Sequence, residues 1–347
     1  MLIKFPITTK EINTNIHFVS SEELNKAMKQ DDAFIVADEY VVKEYKHIFE
    51  GLENKTIIIT KGYYDKKIST FEYICDELTK CNAGKNAHLY GIGGGTITDL
   101  TGFVASVYLR GIKVSFVPTT LLSIVDAAIG GKNAVNIGTT KNAIGTIYQP
   151  VGIYVGTFFL NTNSHNMMME GFAEILKMGL LFDIQLINDC VLYLEYDDLS
   201  ILSNIILQCT KHKMKIITED VMDNNSRAFL NFGHTIGNAL ELDYKLPHGK
   251  AIAIGMIYES QIAVLLNLID ISIYNEIYRI ITKYFEYNIA DFDIIKAADK
   301  ILFDKKINDN KIRIPVITEI GRAKLLEINL SEFIECMKMN FQLTPKN

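Results

Sequence analysis

Three residues in the C-terminal half carry the chemistry of a divalent-metal site. Glu174 lies in Gly171-Phe-Ala-Glu174-Ile-Leu-Lys177, among apolar neighbours that predict a buried helix. A buried carboxylate needs a cation or a metal. His234, in Leu230-Asn-Phe-Gly-His234-Thr, and His248, in Leu246-Pro-His248-Gly249, occupy apolar, glycine-flanked settings in a chain with only seven histidines. Two His and one Glu make a set that leaves a coordination position open for substrate. The spacing is not HExxH, so each histidine taken singly is equally a core or capping residue. Glu174 and Lys177, three apart on one helix face, equally make an ordinary ion pair. The convergence of all three residues on one helical stretch favours the metal.

A second kind of chemistry is written in Tyr90-Gly-Ile-Gly-Gly-Gly-Thr-Ile-Thr-Asp99, a strand running through Gly93, Gly94 and Gly95 into a helix. Glycines there let backbone N–H groups approach a pyrophosphate at a helix N-terminus. The spacing is neither GxGxxG nor a P-loop, and close packing alone would also explain it. Asp38, at the end of an earlier strand, is placed to bind an adenosine ribose or to cap a helix. Arg110-Gly111, Pro118-Thr119-Thr120, Asp126, Gly130-Gly131-Lys132 and Lys141-Asn142 then interrupt an apolar context. Glycine pairs beside lysines and a Thr-Thr step after a buried strand have the character of an anion-binding floor.

The elements that must position these residues follow from hydrophobic periodicity. Short β-branched runs predict strands at 16–20, 33–37, 56–60, 88–92, 114–118 and 152–155, with helices at 22–30, 39–49 and 68–81 between them. That alternation implies a parallel sheet covered on both faces. Beyond about residue 163 the pattern turns helical, at 169–181, 199–217, 227–242 and 250–266, with one late strand at 311–317. The division expected is an α/β domain over 1–160 and a mainly α-helical, metal- and substrate-binding domain over 161–347.

Composition narrows the partners. The 347 residues include 35 Lys+Arg and 41 Asp+Glu, a net charge of −6, which disfavours nucleic acid and anionic membrane surfaces. An anionic substrate then requires a local basic cluster. The five cysteines are scattered without a CxxC pair, and no apolar run approaches the ~18 residues of a membrane helix. With no signal-peptide core near the N-terminus, the expectation is a cytoplasmic protein.

Taken in order, GGGTITDLTGF, RG, VPTTLL, VDAAIGGK, TKNAIG, YQP, GFAEILK, RAFLNFGHTIG and PHGKAIAIGM resemble the 3-dehydroquinate synthase family of sugar phosphate cyclases. The match is dense over about residues 86–260. The resemblance implies a Rossmann-like N-terminal sheet and a helical metal-binding C-terminal domain. It implies that Asp38, Gly93, Gly94, Gly95, Asp99, Thr119, Thr120, Lys132, Lys141, Phe159 and Thr162 hold NAD, and that Glu174, His234 and His248 bind Zn2+ or Co2+. Arg110, Asp126, Lys132, Asn142, Lys177, Lys213, Arg227, Asn231 and one of Lys305 or Lys306 would line the substrate site, Arg227 reaching across a homodimer interface. The implied reaction turns 3-deoxy-D-arabino-heptulosonate 7-phosphate into 3-dehydroquinate and phosphate through transient oxidation, elimination, reduction and aldol closure. The alternative is a related cyclase of the inosose or valiolone type, or an impaired homologue.

Departures from the family pattern bear on that choice. Asn238 stands where a second histidine follows the metal histidine by one helical turn, and an amide cannot relay a proton near neutral pH. Asn133 replaces a usual Thr, and Tyr64 stands where a cofactor-contacting Glu is common, with Lys67 expected to keep the lysine of that motif.

Overall fold

The computed structural model describes residues 14–60, 66–138, 140–286, 292, 296 and 310–339. These fall into two compact units. One runs to Ser123 and resumes over Ala127–Asn161; the other takes Ile124–Asp126 and the residues from Thr162 onward.

The first unit is built on β1 (Asn15–Phe18), β2 (Ala33–Asp38), β3 (Thr56–Ile59), β4 (His88–Gly93), β5 (Lys113–Pro118) and, later in the chain, β8 (Gly152–Val155). All pair in parallel, in the order β1-β8-β5-β4-β2-β3. The central strands read as continuous apolar runs because both faces are buried: Ala33, Ile35, Val36 and Ala37 of β2, and Leu89, Tyr90 and Ile92 of β4, are almost inaccessible. The covering helices are α1 (Ser21–Met28), α2 (Glu39–Glu44), α3 (Ile68–Lys80) and α4 (Gly95–Val107). α1 starts where Ser20 and Glu23 form a reciprocal capping box, and α3 buries Thr70, Ile74 and Leu78 along one stripe. All six predicted strands are present.

Two expectations need correction. The helix predicted over 39–49 ends at Glu44, and a 3-10 turn at Lys46–Phe49 follows a non-helical Tyr45. The segment 132–147, given no strand from its pattern, is an antiparallel hairpin, β6 (Lys132–Ile137) with β7 (Thr140–Ile147). Residues 140–145 are exposed, so no buried face imposes an alternating pattern on β7.

The second unit comprises α5 (His165–Phe182), α6 (Ile184–Tyr196), α7 (Leu199–Glu219), α8 (His234–Tyr244), α9 (His248–Leu265) and α10 (Ile271–Thr282). An antiparallel pair, β9 (Lys311–Glu319) and β10 (Arg322–Asn329), and a closing helix at Leu330–Lys338 complete it. α9 is buried all round from Ala251 to Ala263 and packs against α5, α8 and α10, as expected of an unsided apolar helix at the centre of a core. The helix predicted over 227–242 is broken. Residues Ser226–Asn231 form a 3-10 turn, and α8 begins at His234 after Gly233, whose φ of +78° lies in the left-handed region. No helix among the described residues is long and apolar enough to cross a membrane.

Candidate active site

Glu174 projects from α5 and is 2 % exposed; His234 opens α8 and His248 opens α9. One ligand atom from each lies within 4.8 Å of the other two. Glu174 Oε1 is 3.5 Å from His234 Nε2 and 3.4 Å from His248 Nε2, yet accepts no hydrogen bond from a described residue. Ligand atoms around a tetrahedral ion with bonds of about 2.0–2.1 Å sit roughly 3.3 Å apart. A buried carboxylate oxygen without a donor, flanked by two imidazoles at that spacing, fits a divalent metal. The other oxygen, Oε2, pairs with Lys177 one helical turn on, and Lys177 Nζ also donates to Leu230 O at 2.8 Å.

Electrostatics divides the two imidazoles. Burial, with the Lys177 ammonium adding to it, pushes His234 down to about 4, so this ring is neutral at physiological pH. Burial works against charge on His248 too, but the Glu174 and Glu241 carboxylates outweigh it and lift the imidazole to about 10. Glu241 accepts from His248 Nδ1 at 3.1 Å, and His234 Nδ1 lies 3.2 Å from Phe232 O. These contacts turn both Nε2 atoms toward Glu174, the orientation that metal-bound histidines need. Burial acts against the charge on Glu174, and the Lys177 ammonium foremost overcomes it, holding the carboxyl well below its ordinary range.

Other expected site residues share this unit. Lys213 on α7 is buried and forms an ion pair with Asp126, whose carboxyl Lys213 holds below the usual range against the opposing effect of burial. Arg227 is 3 % exposed, its Nη1 donating to Val221 O at 3.1 Å. Asp220 fixes its loop by accepting from the N–H groups of Asn224, Asn225 and Arg227 at 2.9, 2.7 and 3.0 Å. Asn231 ends the same 3-10 turn, half-buried, and Asn238 is exposed on α8. Thr162 is half-buried at the end of the turn Thr157–Thr162. Lys305, Lys306 and Tyr64 lie outside the described residues.

In the first unit the sheet order reverses between β2 and β4. β2 leads to β3 on one side, and β4 leads to β5 on the other. Open α/β sheets bind ligands at the carboxyl ends of strands flanking such a reversal. β2 ends at Asp38, and β4 ends at Gly93 followed by Gly94 and Gly95. A Cβ at Gly93 would come within 2.5 Å of Ile97, so the strand–helix turn closes only with glycine there. Gly94 is the N-cap of α4 and has no side chain to bond its first N–H groups. Asp38 accepts from Tyr40 N at 2.8 Å, the helix-capping role that its position also allowed.

Thr119 is buried, and Thr120 shares a hydrogen bond of 2.9 Å with Ser123. Phe159 is buried edge-on against Tyr45, with ring centroids 4.9 Å apart. Lys132, Lys141 and Asn142 are exposed on the hairpin, and Arg110 is exposed on a turn whose Leu109, Arg110 and Gly111 all have positive φ. Lys85 Nζ donates to the carbonyls of Leu109 and Arg110 at 2.8 and 3.2 Å. Asn133, the departure from Thr, is buried and donates to Gly131 O and Tyr148 O at 2.7 and 3.0 Å.

Three residues not singled out from the sequence belong to these sites. Lys66, beside the expected Lys67, forms an ion pair with Asp99 and donates to Asn142 Oδ1 at 2.7 Å. Glu241 orients His248, and Glu259 grips the start of α8. Burial pushes the Glu259 carboxyl up to about 7 against three N–H donors that favour its charge. An acid seven residues from one histidine was the only available signal for Glu241, and adjacent lysines gave none for Lys66.

Comparison with known proteins agrees with this architecture. Residues 56–170 match the family model described as 3-dehydroquinate synthase N-terminal, and residues 171–307 the one described as 3-dehydroquinate synthase C-terminal. The 3-dehydroquinate synthase of Saccharolobus solfataricus is 35% identical, over 93% of this chain and 94% of that protein. Among solved structures, 2-epi-5-epi-valiolone synthase from Streptomyces hygroscopicus, with NAD+ and Zn2+ bound, superposes with a TM-score of 0.82 at 20% identity over 97% of this chain and 99% of the other. A 2-deoxy-scyllo-inosose synthase complexed with carbaglucose-6-phosphate, NAD+ and Co2+ gives 0.77 at 21% identity, over 95% and 97%.

Proposed function

The chain belongs to the 3-dehydroquinate synthase family, and from that membership we propose that it converts 3-deoxy-D-arabino-heptulosonate 7-phosphate to 3-dehydroquinate and inorganic phosphate. The observation that carries this reading is the buried Glu174–His234–His248 cluster with Lys177 and the Lys213–Asp126 pair in the same unit. Such a set suits a substrate that offers hydroxyl oxygens to a metal and anionic groups to lysines.

When bound, Zn2+ or Co2+ polarises a substrate alcohol, and NAD takes up and returns a hydride within each turnover. Glu174, His234 and His248 would hold the metal. Gly93, Gly94 and Gly95 would bring backbone N–H groups to the NAD pyrophosphate, with Asp38 on a ribose and Asp99, Thr119, Thr120, Lys132, Lys141, Phe159 and Thr162 completing the cofactor contacts. In the second unit, Lys177, Lys213, Arg227 and Asn231 would bind the substrate's oxygens, Lys213 oriented by Asp126. In the first, Arg110, Lys132 and Asn142 would supply further donors to phosphate and nearby oxygens. Asn238 has no group that titrates near neutral pH, so in this reading the substrate's own phosphate dianion takes the proton lost in its elimination. The protein would act as a homodimer in the cytoplasm.

The test is a coupled assay with the heptulosonate phosphate, NAD and Zn2+ or Co2+. Phosphate release without net NADH accumulation supports the proposal. No release from metal-replete protein would sink it, and release only from a different sugar phosphate would move the chain to a cyclase of the inosose or valiolone kind.

A further inference from the structure

α9 carries His248 at its first position and Glu259 three turns further on. Glu259 is 1 % exposed. Its Oε2 accepts from Gly233 N at 2.8 Å, and its Oε1 from Thr235 N and Ile236 N at 3.0 and 3.3 Å. These are N–H groups on either side of His234. No residue of α8 caps the helix, since Gly233 has no side chain to do so. The cap is supplied from another helix.

The two helices also touch through glycines. A Cβ on Gly255 would lie 2.0 Å from Gly233 O, and a Cβ on Gly237 would lie 2.8 Å from Ala251 O. Backbone therefore meets backbone, and Glu259 supplies the directional hydrogen bonds that a contact between glycines lacks. Glu174, the remaining metal-site residue, comes from α5, which also packs on α9.

We propose that Glu259 is a positioning residue for the metal site: by gripping the backbone around His234 from the helix that bears His248, it sets the separation and angle of the two imidazoles. This rests on the reading of Glu174, His234 and His248 as metal ligands. The hydrogen bonds of Glu259 go to backbone N–H groups, so it acts through the Gly233–Ile236 backbone. A carboxylate on a helix buried all round costs desolvation, and a cap that merely began α8 could have come from a local Ser, Thr or Asp. Its placement on α9 ties the cap to the other histidine.

The test titrates Co2+ into metal-free full-length protein and follows affinity and the visible d–d absorption, which reports the geometry of the donor set. Thermal melts of the metal-free proteins run in parallel. Glu259→Ala is expected to weaken Co2+ binding by roughly 10–100-fold, the usual effect of losing a group that orients a ligand, and to change the absorption intensity. Glu259→Gln keeps one acceptor oxygen but faces a donor with a donor, so it should fall between wild type and Glu259→Ala while folding normally. Wild-type affinity and spectrum in Glu259→Gln, with only the melting temperature lowered, would overturn the proposal. Absence of Co2+ binding by the wild type, or undiminished binding by His248→Ala, overturns the metal assignment itself and this inference with it.

Discussion

His248 and Glu241 meet at 3.1 Å, Nδ1 to Oε2, at the junction of the two helices that carry the proposed histidine ligands. Glu241 lies two turns after His234 on α8, so the helix supplying one imidazole also orients the other. Glu174 and, with it, this contact favour the cationic form of His248, while burial favours the neutral form of His234.

Metal uptake should therefore expel one proton, not two. His248, lifted to about 10, must lose a proton before its Nε2 can bind a metal, whereas His234, lowered to about 4, already presents a lone pair. Between these limits, apparent affinity rises about tenfold per pH unit. Calorimetric titration of Co2+ at pH 7.5, in buffers of different ionisation enthalpy, is expected to give about one proton released per ion. Glu241→Gln should lower both that count and the affinity, the latter by roughly 10–100-fold.

Lys177→Met tests the balance of charge around Glu174. Both side chains are 2 % exposed, and removing one partner of a buried pair costs about 3–5 kcal/mol. Urea denaturation of the metal-free variant should show a loss of that order. Co2+ loading should recover part of it, because the ion gives Glu174 another positive partner. An equal loss with and without metal would contradict the assignment.

Lys66, next to Lys67 in the chain, forms an ion pair with Asp99 and a hydrogen bond to Asn142. Lys66→Met is expected to raise the KM for NAD by about tenfold or more, the equivalent of one or two charge-assisted hydrogen bonds. Lys66→Arg, which keeps the charge, should stay closer to the wild-type value. Steady-state kinetics with varied NAD distinguishes the two.

Acid sensitivity has an identifiable source in the first unit. His88 is lowered to about 4 by burial, with Lys113 contributing, and its ring stacks on Tyr90 with centroids 4.4 Å apart while Nε2 meets Ser115 Oγ at 2.9 Å. The unfolded chain takes up this proton near pH 6.5 and the folded one only near 4, so stability is lost as pH falls through that window. The loss is on the order of 1–3 kcal/mol once residual solvent screening is allowed for. Denaturation midpoints between pH 7 and 4.5 should fall more steeply for wild type than for His88→Phe.

Much of this was legible from the chain. The six parallel strands were readable because burial on both faces writes β-branched runs such as Ala33–Asp38 directly into the sequence. The clustering of Glu174, His234 and His248 was foreseeable because histidine is scarce in this chain and both sit in apolar settings. What stayed hidden depends on backbone path and on contacts between distant segments. The break at Gly233 lies in a residue that helices also tolerate. β7 has no buried face to impose alternation. Lys66 stands beside an identical residue, and nothing local records that its chain, with a φ of +55°, brings it to Asp99. Glu259 looks like an ordinary helix glutamate, since nothing local records that it meets N–H groups some 25 residues away.

The contact of Gly255 with Gly233 has one further consequence. Ordinary contact with a Cβ begins at 3.4 Å, and here the gap is 2.0 Å. One added methyl would therefore displace a helix by roughly an ångström, several times the ±0.2 Å tolerance of a metal–ligand bond. The metal site thus depends on two positions whose contribution is to have no side chain at all. Any inventory of catalytic parts made from functional groups will pass over them.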